Sequence, residues 1–331
     1  MSATETRAGM LLTPRIPLID TARGLALVAM ASYHFTWDLE FFGYVEAGTA
    51  TTGAWKIYAR LIATSFLFLV GVSLVLAHRP AIRWSSYRKR MGMVAAAAAL
   101  ISLGTYIALP QEWIFFGILH NIAVSSLLGL AFLPLPPIIT AATAAIIGIG
   151  FVVDGWLVPD LLRSAVFNTK WLAWLGFAEA MPRSNDFVPL FPWFSAVLAG
   201  IAAGGWLQRS NGLHRLAQWQ TRPNLLTKAG QHSLIFYLVH QPVLIALVYL
   251  ASLVIPPPAA DPVASFTRSC EISCTAGRHE AGLCQRFCAC TADRLIAQSL
   301  FTPMQSGQID PQTDQRVLDI TNECTAVGMA P

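Results

Sequence analysis

Long apolar runs separated by short polar ones fill most of the chain. About seven of them approach the roughly 20 mostly apolar residues that a helix needs to cross a bilayer. They lie near 17–39, 57–77, 91–109, 114–133, 136–153, 187–207 and 229–254. The first is too long, and too polar at both ends, to be a cleaved signal peptide with a short apolar middle, so it is expected to stay as a helix. No solenoid period is visible, and the Ala-rich runs at 94–99 and 141–145 read as faces on which membrane helices pack closely. The pattern stops at Ile255-Pro256-Pro257-Pro258, a stiff spacer that cannot continue a helix. It divides the chain into a membrane domain over 1–254 and a tail module over 255–331.

Composition sharpens that picture. Of 331 residues, 55% are hydrophobic and 12% charged, against roughly 25% charged in an ordinary soluble domain. A mean hydropathy of +0.53 leaves too little polar surface for a water-exposed globule, whereas a bundle facing lipid needs none. The expected fold is therefore all-α, a polytopic membrane helix bundle of about seven spans. A net charge of +4, with no dense basic stripe, excludes a nucleic-acid binder.

The basic residues instead report topology, because short cytoplasmic loops carry the Lys and Arg excess. Arg79, Arg83, Arg88, Lys89 and Arg90 follow the second run, and Arg209, Arg215, Arg222 and Lys228 separate the sixth from the seventh. Both loops are expected in the cytoplasm, together with the N-terminus and its Arg7 and Arg15. Segments 40–56, 110–113 and 154–186, and the tail, then lie outside, which in a bacterial inner membrane means the periplasm. The tail holds all six cysteines, Cys270, Cys274, Cys284, Cys288, Cys290 and Cys324, an even number that suits disulfides in an oxidising compartment. Cys270/Cys274 and Cys284/Cys288 each share one helix face. A helical hairpin turning near Gly277 and Gly282 would pair Cys270 with Cys288 and Cys274 with Cys284, leaving Cys290 for Cys324. A zinc site is the rival reading, but His279 is the only nearby histidine and the spacing is not that of a zinc finger, so no metal is expected.

Candidate chemistry concentrates on the first run, in Ile19-Asp20-Thr21-Ala22-Arg23-Gly24 and Ser32-Tyr33-His34-Phe35-Thr36-Trp37-Asp38. Ionisable groups inside a span are costly and mark a site with partners. At about 100° per residue, Arg23 and His34 return to within roughly 20° of one direction, and Asp20 and Asp38 are five turns apart, so all four share a face. A rise of about 1.5 Å per residue separates Arg23 from His34 by roughly 16 Å along the helix axis. Asp38 stands one turn beyond His34, where a carboxylate can orient an imidazole base. Asp20 can likewise orient Arg23, whose fixed planar charge suits a phosphate. The alternative is a pair of structural or interfacial ion pairs near the helix ends.

The stretches Arg15-Ile16-Pro17-Leu18-Ile19-Asp20 through Trp37-Asp38-Leu39, SFLFLVGVSLVL at 65–76, FGILH at 116–120 and HSLIFYLVHQP at 232–242 resemble the bacterial branch of the heparan-alpha-glucosaminide N-acetyltransferase catalytic-domain family, over about 11–254. The spacing Arg23-x10-His34 is also similar to the signature of the broader membrane acyltransferase superfamily, in which Arg and His on one helix serve acyl transfer across the bilayer. The resemblance implies an acyl-CoA donor, most simply acetyl-CoA, on the cytoplasmic side, and a sugar acceptor of the envelope on the other, with transfer through a membrane-embedded tunnel. Arg23, aided by the basic loop at 79–90, would hold CoA phosphates. His34 would act on an acceptor amine or hydroxyl, either as a general base or through an acyl-histidine. The eukaryotic branch places its catalytic histidine in the luminal segment after the first span, and residues 40–56 here contain none. His34 is therefore carried over from the superfamily motif.

Further candidates lie on other runs. His120 is a second catalytic or acceptor-binding candidate, or else a hydrogen-bonding packing group. His240 precedes Gln241-Pro242, where a helix break would free backbone carbonyls; the favoured reading is a kink held by polar side chains, and the alternative is that His240 lines the tunnel. Asp186 and Trp193 sit at the outer mouth of the sixth run and could contact a sugar, although interfacial Trp is commonly an anchor. Trp156, Trp171 and Trp174 fit the anchor reading. A bundle of this kind can also associate with a second copy of itself. Two rival functions remain: a proton-coupled transporter using an Asp/His relay, although no pair of interrupted helices from inverted repeats is visible, and a haem-binding cytochrome with His34, His120 or His240 as axial ligands.

Overall fold

The computed structural model describes residues 16–78, 81–219, 222–258, 261–277 and 279–328. Arg7, Arg15 and Arg79 of the topology argument fall outside them. The described residues are predominantly helical, and the one strand-like pairing among them is an isolated bridge between Ser164 and Ala178. In chain order the helices are α1 Pro17–Phe41, α2 Gly53–His78, α3 Trp84–Ala108, α4 Ile118–Gly129, α5 Pro137–Val152, α6 Lys170–Ala173, α7 Leu190–Arg209, α8 Gly212–Trp219, α9 Leu225–Gln231, α10 Ser233–Val254, α11 Pro262–Ala276, α12 Ala281–Ala297, α13 Phe301–Gln305 and α14 Gln315–Gly328.

Among the described residues, five helices are long and apolar enough to cross a membrane: α2, α3, α5 with its extension to Leu157, α7 and α10. Only helices and closed barrels satisfy every backbone polar group in lipid, which is why these runs fold as they do. α1 has the length, 25 residues, but its polar stripe sets it apart from the apolar five. The run expected at 114–133 is a shorter apolar helix, Ile118–Phe132. α10 runs through Pro242 without interruption, where a break was expected; Pro242 removes one backbone donor, yet the helix continues on both sides.

The described residues form two compact units. One comprises the described part of Met1–Ala31 together with Ala59–His240. Its core lies between α2 and α7, where Leu67, Leu74, Val197, Leu198 and Ile201 are almost fully buried. Backbone approaches backbone there: a Cβ on Gly71 would collide with the Val197 carbonyl, and one on Gly200 with that of Phe68, the small-residue contact that membrane helices favour. Ala97 and Ala98 of α3 are buried with Leu119 of α4 against Leu234, Tyr237 and Leu238 of α10. Between α5 and α6, the fully buried Asp154 accepts from Arg163 Nε at 2.9 Å and from the Leu162 N–H at 2.8 Å. This ion pair anchors the turn after α5.

The other unit comprises Ser32–Tyr58 and Gln241–Pro331. Pro262 opens α11 behind Asp261, whose side chain accepts the Val263 N–H, the usual cap and first-turn proline. The tail core is small: Leu295, Leu300, Phe301, Val317 and Ile320. So small a core needs staples. Three disulfides supply them, Cys270–Cys288, Cys274–Cys284 and Cys290–Cys324. The first two lock the α11–α12 hairpin and the third ties α12 to α14. These are the pairs that the helix-face spacing predicts. Within the same unit, Glu40 accepts from the Gly48 and Ala50 N–H groups at 2.6 and 2.8 Å and shapes the turn after α1. Arg268 of α11 pairs with Glu46 of that turn.

Candidate functional site

In the first unit, the start of α1 lies against α9 with no side chain between them. A Cβ on Gly24 would collide with the Leu226 carbonyl, and one on Gly230 with that of Asp20. Thr21 and Thr227 join hydroxyls beside this contact at 2.7 Å. Arg23 is held here by three groups: Asp20 Oδ1 at 2.8 Å, Ser73 Oγ of α2 at 2.9 Å and the Gly230 carbonyl at 3.4 Å. The guanidinium is thus pre-positioned, and Asp20 is its orienting carboxylate. Arg90, on the first turns of α3, is near enough to Arg23 for the like charges to repel. Two guanidiniums held in mutual range favour an anion between them. Arg90 lines a small cavity with His78, Tyr87 and Ser126, and the Tyr87 hydroxyl there is buried without a hydrogen-bond partner.

In the second unit, His34 is half-buried and meets the Tyr33 ring edge-on at a centroid distance of 5.6 Å. Asp38 is completely buried. Its Oδ1 accepts from Gln241 Nε2 at 2.6 Å, while its Oδ2 and the Gln241 Oε1 have no hydrogen-bond partner. Two buried acceptor atoms without donors on one linked pair are costly unless a proton or a donor group reaches them. Asp38 and Gln241 thus present two open acceptor oxygens on one buried, hydrogen-bonded pair. Arg90 belongs to the basic loop at 79–90 expected to aid Arg23, whereas Ser73 and Gln241 have no role assigned from sequence; each is a polar residue in an apolar run, which is the signal that could have found them.

The remaining candidates are structurally employed. His120 Nδ1 accepts the Gly117 N–H at 3.2 Å, so its Nε2 carries the proton toward Ser102 Oγ at 3.1 Å, and that hydroxyl in turn donates to the Ile114 carbonyl at 2.6 Å. Both ring nitrogens are engaged, and the chain of bonds closes the turn before α4. Beside it, the fully buried Asn121 donates to the Val188 and Pro189 carbonyls at 3.1 and 2.8 Å and accepts from Ser125 at 2.8 Å. Asp186 accepts the Ile118 N–H at 2.9 Å, at the N-terminus of α4, and is bonded by the Tyr237 side chain. Burial pushes its carboxyl above the usual carboxylate range, with these two hydrogen bonds opposing. Trp193 is half-buried and packs on the α2–α7 core. His240 Nδ1 lies 2.6 Å from the Tyr237 carbonyl. No cluster of three or more metal-ligating side chains occurs among the described residues.

Residues 15–242 match the model of the family described as heparan-alpha-glucosaminide N-acetyltransferase, catalytic. No curated protein and no solved structure matches the chain.

Proposed function

Because the chain belongs to the heparan-alpha-glucosaminide N-acetyltransferase catalytic family, and is thus a membrane acyltransferase, we propose that it moves an acetyl group from cytoplasmic acetyl-CoA to an amine or hydroxyl of an envelope sugar on the periplasmic side of a bacterial inner membrane. One observation carries this reading. A single unbroken helix, Pro17–Phe41, bears Arg23 and, eleven residues later, His34. The first is a restrained cation suited to phosphate and the second a titratable base.

Arg23, oriented by Asp20 and Ser73, binds donor phosphates, and Arg90 adds a second charge. Arg is suited to this because its fork matches phosphate oxygens and stays charged at every working pH. His34 takes the proton from the acceptor nitrogen or oxygen as that atom bonds to the acyl carbon. When the C–S bond breaks, the electron pair leaves on sulfur, and the imidazolium returns the proton to it. General-base help of this kind contributes about 10²–10⁴ in rate. Asp38 and Gln241 orient the reacting groups through their two undonated oxygens.

The reading is tested with purified protein in lipid nanodiscs given acetyl-CoA and an amine-bearing sugar. Free CoA thiol should be released only when both are present. In sealed vesicles, product should form with donor and acceptor on opposite sides of the membrane. Absence of acceptor-dependent thiol release across a panel of amine and hydroxyl sugars would overturn it, and proton flux without thiol release would support the transporter instead.

A further inference from the structure

The second unit contains a cavity of about 430 Å³ at the outer end of α1, bounded by α1, the turn over 43–47 and the first turns of α11. Its volume lies within the roughly 300–1,000 Å³ of ligand sites. One wall is aromatic: Trp37 and Phe41, one helical turn apart, stack with centroids 5.5 Å apart and planes within 11° of parallel. The rim is polar and unevenly charged. Glu40, Glu46 and Asp261 contribute three carboxylates against the single guanidinium of Arg268.

Each feature narrows the ligand. Aromatic side chains on a cavity wall suit contact with C–H bonds, and a pyranose offers a flat face of such bonds ringed by hydroxyls. Glu40 already accepts two backbone N–H groups, but a carboxylate has about four acceptor positions, so it retains capacity for hydroxyl donors. Arg268 is committed to Glu46. The excess of carboxylate disfavours an anionic ligand and favours a neutral or amine-bearing one.

We propose that this cavity is a sugar-binding site for a pyranose without net negative charge, and that the tail helix α11 forms one of its walls. The family match ends at residue 242, so this wall lies outside the matched residues. The inference shares with the proposed function only the idea of a sugar acceptor. It assigns the cysteine-rich tail a task, as the part that closes the site and selects its occupant.

Binding is measured without any acyl-CoA, by calorimetry and saturation-transfer NMR on the full chain in nanodiscs. The probes are glucosamine, glucose and glucuronate. Glucosamine and glucose should bind and glucuronate should not. Trp37→Ala should weaken sugar binding at least about tenfold. Ala264→Trp, which fills the cavity from α11 and leaves α1 untouched, should do the same. An intact set of three disulfides, checked by thiol counting, shows that each variant has folded. Unchanged sugar affinity in folded Ala264→Trp, equal binding of glucuronate, or displacement of lipid alone would overturn the proposal. Transfer to sugar that persists in folded Ala264→Trp with unchanged acceptor KM would sink the cavity and leave the transferase standing. Sugar binding without any transfer would do the reverse.

Discussion

Gln241 donates its side-chain amide to Asp38 at 2.6 Å across 203 positions of sequence, and it supplies the hydrogen bond seen on a carboxylate buried near the C-terminal end of α1. A buried polar group that loses its partner costs its full desolvation. Gln241→Leu should therefore destabilise the protein by about 1–3 kcal/mol. Replacing Asp38 and Gln241 together by Leu removes both polar groups and should recover most of that loss. Thermal unfolding of the single and double variants in detergent decides: a double variant no more stable than Gln241→Leu means that the pair does not act as a unit.

His34→Ala should lower kcat by about 10²–10⁴, the range for loss of a general base, while the protein still inserts and retains acetyl-CoA. Retention of full turnover in that variant refutes the catalytic assignment.

Arg23→Ala should raise the Kd for acetyl-CoA by more than about tenfold, since charge-assisted hydrogen bonds contribute about 1.5–3 kcal/mol, and should leave acceptor binding unchanged. Arg23→Lys keeps the charge but loses the fork and should fall between. Donor affinity that is the same in all three proteins removes the phosphate role.

Asp186 makes stability depend on pH with a definite sign. Burial raises its folded pKa, so the folded state prefers the neutral acid. The stability that this preference confers is complete below the unfolded value of about 3.9 and is lost as pH rises through the folded one. Asp186→Asn has no such titration. The melting temperature of the wild type relative to Asp186→Asn should thus be highest near pH 4 and decline toward pH 8. A difference that stays flat over that interval contradicts the assignment.

A phosphatase fused after residue 331 should be active and a cytoplasmic reporter at the same position silent, because the positive-inside count puts the tail outside. Reduction of the three disulfides should destabilise the tail, each lost bridge costing about 2–5 kcal/mol. An active cytoplasmic reporter beside a silent phosphatase removes the topology.

The membrane helices were legible in the sequence because lipid leaves the backbone almost no alternative, so hydropathy and length suffice. The disulfide pairs were legible because Cys270/Cys274 and Cys284/Cys288 sit one turn apart, and a hairpin then leaves few geometries. Arg23 with Asp20 followed from the same helical phase. Long-range partners did not: periodicity reports which face of its own helix a residue occupies and nothing about what that face meets. Hence Ser73 as the partner of Arg23, Gln241 as the partner of Asp38, the buried Asp154–Arg163 pair and the Asn121 clamp emerged only from the fold. The helix runs on through Pro242 rather than breaking for a related reason: proline removes one hydrogen bond, but the turns on either side keep theirs. The cavity beside Trp37 was hidden because one of its walls comes from residues more than 200 positions away.

The glycine seam between α1 and α9 constrains how this protein can diverge. With Leu226 and Asp20 carbonyls occupying the places of the missing methyl groups, even alanine at position 24 or 230 would wedge the two helices apart and carry Arg23 away from Ser73. Ser73, Arg90 and the residues around them are therefore free to vary in a way that the footing on which Arg23 stands is not.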